Sequence, residues 1–486
     1  MRRPKSTRDH DHPGRAERPG WSSAWLASLI GVGLATVLFA WVGGGGAGAQ
    51  SPAAGAIRTC SDSVATPVPQ PTGGQMAAAG LDELPVALAA KRVDLVAPPF
   101  SRPTTITNPL FPISRLASVV LNGKVDGKAF RTETTLLADT RIIEWSPGQC
   151  VKTLVSQYTA YLDGRIQEVA LDFYAQADDG SVWYFGEDVY NYKRGVVADT
   201  SGTWLAGKEG PAAMIMPANA SVGVVNRPEN IPGLVWEEVA VKTVGRTVSG
   251  PRGPVAGAMV GRELHDDGTF SDKIFAPGYG EFSSAHEGDL EALALAVPID
   301  AAPGPTPQAL QRLSHGADHV FRTATSKRWR SLSATLRRMN AAWKAQRADG
   351  VPPRLIAPTN RALKALARAV KGRNPRSIRN AALDVTQAAL DLQLRYRPAA
   401  EIDRARFDLW ARQVRVDAAA RKHAAVSGDV ATLEWIRDRI AHTLDRVAVT
   451  RIDTQLEELR ADVADRKLAA AAKTAAALRK AVASAG

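Results

Sequence analysis

Residues Val169–Tyr192 read VALDFYAQADDGSVWYFGEDVYNY. Val169, Leu171, Phe173 and Ala175 alternate with Glu168, Asp172, Tyr174 and Gln176, the period of two expected of a strand with one buried and one wet face. Trp183 and Phe185 resume the apolar row after Asp178-Asp179-Gly180. A two-residue turn would set Gln176 against Trp183 and mix the faces. A three-residue loop with Gly180 left-handed sets Ala175 against Trp183 and Phe173 against Phe185, and keeps the apolar face whole. On that register Glu187 falls opposite Leu171 on the inward face, and Asp172, Tyr174, Tyr184 and Asp188 lie on the other.

The surrounding chain, residues 96–300, continues in the same manner. Short alternating segments such as Leu116–Leu121, Phe130–Leu137, Lys152–Tyr161, Glu238–Val244 and Gly257–Leu264 are separated by Asn122-Gly123, Asp163-Gly164, Asp267-Gly268 and Pro277-Gly278. About ten strands in an antiparallel β meander are expected, forming a curved sheet or half-open barrel. Four loops are unusually apolar: Thr107–Pro112, the segment around Trp204, Met214–Ala218 and Phe275–Glu281. Two readings stand. Trp183, Tyr184, Met214, Met216 and Tyr279 line an adaptable apolar pocket, or these loops plug the ends of a barrel as core.

The series FYAQ-DDG-VWYFGED, GTW-AG, MPA and APGYGE, spread over about residues 100–295, resembles a family of uncharacterised exported bacterial proteins. That resemblance implies no activity, so it assigns no residue a role, and it stops short of the helical half. A curved antiparallel sheet in an exported protein is also similar, at the level of fold alone, to envelope lipid- or lipoprotein-carrier domains.

Upstream, six Arg and Lys residues precede an apolar run at 24–42 and a small-residue site, Ala47-Gly48-Ala49. Residues 1–49 read as a signal peptide or as a membrane anchor formed by 24–42. Both readings place the remainder outside the cytoplasm, secreted or periplasmic. Residues 50–95, rich in Ala, Pro and Gly, read as a disordered spacer. Cys60 and Cys150 are the only cysteines. In an exported chain they form one disulfide or remain two thiols.

Downstream, a Pro-rich linker at 301–315 leads into residues 316–486, where three-and-four spacing dominates, as in Ile378, Ala382, Val385, Ala389, Leu392 and Tyr396. An all-α antiparallel helical bundle of six helices is expected, broken at Gly350–Pro353, Gly372–Pro375, Arg397-Pro398, Ser427-Gly428 and near Val449. Ala369–Gly372 and Ala425–Gly428 suggest a weak duplication. Asp438, His442 and Asp445 fall on one stripe and raise a metal site, with Asp384 and Asp391 facing them. The plainer reading is helix-face ion pairs, Asp391 with Arg395 among them.

Charge divides the chain. Residues 50–300 hold 20 basic against 29 acidic residues, and 301–486 hold 35 against 17. Either the halves attract one another, or the basic helices dock on an anionic envelope surface or partner. The exported reading sets nucleic acid aside. No nucleophile elbow, zinc-protease motif or phosphate loop occurs, so no cofactor is expected and the reading leans away from an enzyme. Glu187 and Asp188 are the catalytic candidates. Glu263 and His265, beside the Asp266-Asp267-Gly268 turn, are the metal candidates of the β half, as Asp438 and His442 are of the helical half. Three functions follow: an exported binding or interaction protein for an apolar or amphipathic ligand such as a lipid; an envelope hydrolase or metal-dependent enzyme using Glu187, Asp188, Glu263 and His265; or a structural envelope component.

Overall fold

The computed structural model describes residues 64–286 and 288–485. The signal or anchor segment and Cys60 lie outside them. Cys150 is disulfide-bonded. Among the described residues no helix is long and apolar enough to cross a membrane.

Residues 64–95, expected to be part of a disordered spacer, are instead ordered and packed. They carry β1 (Thr66–Pro67) and α1 (Gly73–Ala78), and bury Val68 and Leu81. Helix α1 begins at a capping box in which Thr72 and Gln75 satisfy one another's backbone amides. Strand β2 (Val96–Ala97) pairs with β1.

The main sheet contains β3 (Ser118–Val125), β4 (Lys128–Ser146), β5 (Gln149–Leu162), β6 (Arg165–Gln176), β7 (Val182–Lys193), β8 (Val196–Asp199), β9 (Trp204–Leu205), β10 (Ala213–Met216), β11 (Val225–Ile231), β12 (Val235–Gly250), β13 (Gly253–His265), β14 (Phe270–Ala276), β15 (Gly280–His286) and β16 (Asp289–Val297). It is antiparallel and 14-stranded, in the order β10-β7-β6-β5-β4-β3-β16-β15-β14-β13-β12-β11, with β8 and β9 also paired to β7. The strands outnumber those expected, and several outrun them because a bulge lets one strand continue past an irregularity; β4 continues past a register shift between Leu136 and Thr140. Asn122-Gly123, expected as a turn, lies inside β3. A Cβ on Gly123 would sit 1.5 Å from the Leu290 carbonyl oxygen, so glycine serves close strand approach there. The sheet curls until its end strands meet without closing a ladder. Asn226 Nδ2 on β11 donates to the Met214 carbonyl on β10 at 2.8 Å.

The central hairpin has the expected loop and initial register: Gly180 has φ +93°, and Ala175 pairs with Trp183. A bulge then intervenes, so Glu187 pairs with Asp172 and Asp188 with Leu171. Gly186 makes room for it, since a Cβ there would lie 2.3 Å from the Trp204 carbonyl oxygen on β9. The expected facing is reversed. Trp183 and Phe185 pack outside the barrel against Phe100 and Trp145. Asp172, Tyr174 and Tyr184 face the interior, and the bulge brings Glu187 to their side while sending Asp188 outward to Arg141 at 2.9 Å.

Eight α-helices follow among the described residues: α2 (Gln308–Thr323), α3 (Trp329–Ala348), α4 (Pro353–Lys371), α5 (Pro375–Gln393), α6 (Ala399–Ala419), α7 (His423–Ile440), α8 (Arg446–Ala464) and α9 (Leu468–Ser484). The first starts before residue 316, directly after Pro307. Breaks escaped notice because Lys327, Arg421 and Arg466 take the left-handed conformation (φ 55°, 57° and 59°) that glycine usually supplies. Conversely Gly428 lies within α7, where a Cβ would come within 3.3 Å of the Gly195 Cα in the β7–β8 turn. The Ala369–Gly372 and Ala425–Gly428 stretches are thus a helix end and a helix interior, and the suggested duplication has no structural counterpart there.

The bundle lies on the sheet's outer face. Tyr161, Ile166, Val169 and Leu295 join one core with Leu366, Phe407, Trp410 and Leu433. Buried charge crosses the same boundary. Glu133 on β4 receives Arg406 and Arg439 from the helices, and Arg131 binds Asp391 at 2.7 Å. Asp391 is therefore a buried partner of Arg131 and Arg406, not the surface partner of Arg395. The two halves thus pack on one another, through ion pairs that run in both directions.

Candidate functional site

The alternation that lays apolar residues outward lays carboxylates inward. Asp172, Glu187, Glu229, Glu237, Glu263 and Glu291 are all buried, and Glu168 lies two periods before Asp172 on the same strand. The ladders set like charges face to face: Asp172 opposite Glu187, and Glu229 opposite Glu237. Directly opposed like charges destabilise a sheet, and burial penalises ionised carboxylates further. Protons are the natural relief. Burial, with Glu229 and Asp172 nearby, holds the Glu187 carboxyl well above the usual range. Burial likewise pushes Glu168, Glu229 and Glu291 up to about 8, and Asp172 to about 7 despite the bond it accepts from Tyr184. Neither oxygen of Glu187 has a hydrogen-bond partner among the described residues. Lys273 supplies an ammonium to this group, 2.9 Å from Glu263.

A cavity of about 140 Å³ opens beside these groups. One wall is apolar, from Ile113, Leu116, Val119, Leu121, Leu136 and Phe275; the other presents Asp172, Glu229, Glu237, Glu281, Glu291 and Lys273. Its cover is the Thr107–Pro112 loop, whose Phe111 and Pro112 line it. Asn108 is the clasp. Its Nδ2 donates to the carbonyls of Gly180 and Pro217 at 3.0 and 3.1 Å, its Oδ1 accepts from Leu110 N, and the Gly278 amide donates to Pro109 at 2.8 Å. Three loops conspicuous in the sequence thus gather at one end of the cavity.

Of the five expected ligand-binding residues, Tyr184 and Tyr279 line the cavity. Trp183, Met214 and Met216 do not; they are buried in the aromatic cluster that Tyr174 and Tyr184 also join, and Ile215 between the two methionines faces the cavity in their place. Tyr184 donates to Asp172 at 2.9 Å and stacks on Tyr174 with ring centroids 4.8 Å apart.

The catalytic pair is split by the bulge, Glu187 inside and Asp188 outside. Of the four residues of the enzyme reading, Asp188 lies outside, Glu187 neighbours Glu229 and Asp172, and Glu263 and His265 meet Glu237. Glu237, Glu263 and His265 each offer a ligand atom within 4.8 Å of the others. The Asp266–Gly268 turn forms too: β13 ends at His265 and Gly268 has φ +79°. Asp438 binds Arg437 at 3.0 Å, His442 sits in a 3-10 turn, and Asp445 caps α8 through Ala448 N at 2.8 Å, so the helical stripe is broken and forms no metal group among the described residues.

Sequence reading missed Glu229, Glu237, Glu281, Glu291 and Lys273. The available signal was acids at one parity within otherwise apolar strands, as in VWEEVAV and LEALALAV. No family model matches the chain, and no curated protein matches it.

Proposed function

We propose that this is an exported, non-enzymatic binding protein whose β barrel holds a small amphipathic molecule and whose helical half attaches it to an anionic envelope surface. The observation that carries this reading is the two-sided cavity, apolar on one wall and carboxyl-rich on the other. An apolar body gains about 25 cal/mol per Å² of surface withdrawn from water against the first wall. A cationic or hydrogen-bonding head relieves the crowded carboxyls of the second. Envelope location rests on the sequence pattern of residues 1–49.

The attachment surface has its own support. From Arg322 to Arg376 there are fifteen Lys and Arg and one acidic residue, Asp349, and all of them are exposed. On α4 the buried face holds Leu355, Leu363, Leu366 and Val370, while Arg354, Arg361, Lys364, Arg368 and Lys371 form the exposed stripe. Near an anionic membrane each basic residue contributes about 1 kcal/mol, screened by salt.

Native mass spectrometry of protein purified from its own envelope tests the ligand. A co-purifying amphipathic molecule that is lost in Leu121→Trp, which fills the apolar wall, is the expected result. No bound molecule, with no uptake of a fluorescent amphipathic amine by the stripped protein, sinks the reading. Salt-sensitive binding to vesicles with anionic lipid, weakened by Lys364→Glu with Arg368→Glu, tests the attachment.

A further inference from the structure

We propose that Glu237, Glu263 and His265 form a binding site for a divalent cation of the zinc class on the inner wall of the barrel, beside the cavity. The sheet itself assembles the three. Glu263 and His265 are two apart on β13 and so share a face. Glu237 on β12 pairs directly with His265. All three are buried.

The hydrogen bonds decide which imidazole nitrogen is available. The Ser271 hydroxyl has one proton and gives it to Glu263 Oε2 at 3.0 Å. Ser271 Oγ, its proton thus committed, lies 2.9 Å from His265 Nε2, so Nε2 must carry a hydrogen and donate it. In the neutral ring Nδ1 is then a bare lone pair. It points at Glu237 Oε1, 3.6 Å away. That oxygen has no hydrogen-bond partner among the described residues, and its residue is 5% exposed. Two lone pairs facing one another inside a protein call for a proton or a cation between them, and Glu263 stands close enough to supply the third donor that a cation takes.

The spacing suits one. Ligands about 2.0–2.2 Å from a zinc ion and separated as these two are subtend an angle of about 110–130°, which includes the tetrahedral value. Imidazole with carboxylates is a donor set for zinc and its first-row neighbours, whereas calcium and magnesium prefer oxygen alone. The Ser271 hydroxyl, held by Glu263, fixes the ring through its second nitrogen, as outer partners of metal-binding histidines do. Glu237 also lines the cavity, which gives the ion a path and an open position. Lys273, on Glu263 Oε1 at 2.9 Å, holds the third ligand in place and moderates affinity through its charge.

The site is independent of the organic-ligand reading, because it rests on its own donors. It is tested on protein stripped of organic molecules and of metal by a chelator, then titrated calorimetrically with Zn²⁺, with Co²⁺ absorption reporting coordination. One equivalent binding at micromolar or tighter affinity is expected. Glu237→Gln and His265→Ala should each weaken it about 100-fold or more, and Ser271→Ala about 10-fold. Glu237→Gln keeps the side-chain shape, and a matching thermal melt shows that it folds. Absence of Zn²⁺ uptake by the wild type, or one-equivalent uptake that survives in both ligand variants, overturns the site. Binding of an amphipathic amine to the same stripped protein is measured separately, so either reading can fail alone.

Discussion

The barrel interior and the interface between sheet and bundle bury the same kind of group and treat it oppositely. Inside, Glu168, Glu187, Glu229 and Glu291 crowd one another, and burial drives their carboxyls upward toward the protonated form. At the interface Glu133 is equally buried, but Arg406, Arg131 and Arg439 surround it and hold it well below the usual carboxylate range. Burial alone therefore does not set the charge; the supply of guanidinium groups does. An intermediate case follows the same rule. Arg165 serves both Asp417 and Asp429, at 2.7 and 2.8 Å, with Lys422 3.8 Å from Asp417; burial, with the Asp417 charge beside it, displaces Asp429 upward. The difference also divides the work: the interface is held by fixed charges, and the chamber keeps groups whose charge a ligand or ion can change.

The comparison breaks most readily at Glu133. Glu133→Ala leaves three arginines without their shared acid, and loss of one partner from a buried pair costs about 3–5 kcal/mol. Urea denaturation should show that loss, with the sheet and bundle unfolding in separate steps. A loss under about 1 kcal/mol would mean that the buried charges are not what joins the halves.

The pH profile is the next test. For the interior acids the folded pKa is raised, so their contribution is fully present below the unfolded values near 4 and is lost as pH climbs toward about 8. Every tenfold gain in a carboxyl's proton affinity on folding is worth about 1.4 kcal/mol, before its neighbours' charges are counted. For Glu133 the folded pKa is lowered, so its contribution stands above its unfolded value and disappears in more acid solution. Stability of the metal-free protein, measured with chelator present, should therefore be greatest at about pH 4–5 and fall toward pH 8. A maximum at pH 7 or above would contradict the protonated interior.

Two smaller effects sharpen the picture. Glu168→Gln with Glu291→Gln should flatten that alkaline decline and raise stability at pH 8 by about 1–3 kcal/mol, seen as a rise in urea midpoint. An unchanged slope would place the titration elsewhere. Tyr184→Phe removes the hydroxyl that donates to Asp172 and should cost about 1 kcal/mol. It should also move the Asp172 titration upward, read by carboxyl NMR.

Much of the architecture was legible. Gly180, the three-residue loop and the Ala175–Trp183 pairing followed from period and register alone, because one residue of slip would have mixed apolar and polar rows. The Pro-rich boundary before α2 was equally plain. The helix junctions were less so, since Lys327, Arg421 and Arg466 do the work of glycine and carry no compositional mark. Glu187 was legible as an inward residue, but for a reason that did not survive: the bulge at Gly186 brings it inside with Tyr184, while Trp183 and Phe185 go outside.

What the chain determined by itself was that Val169–Tyr192 has two unlike faces. Which of them is the inside was decided only by the tertiary structure. A period of two distinguishes the faces of a strand but gives neither a direction. Here Phe100 and Trp145 cover the apolar row at one end of the hairpin, and the helices carrying Trp410 and Leu433 cover it at the other. With its apolar row already buried outside, the hairpin turned its acids toward the chamber.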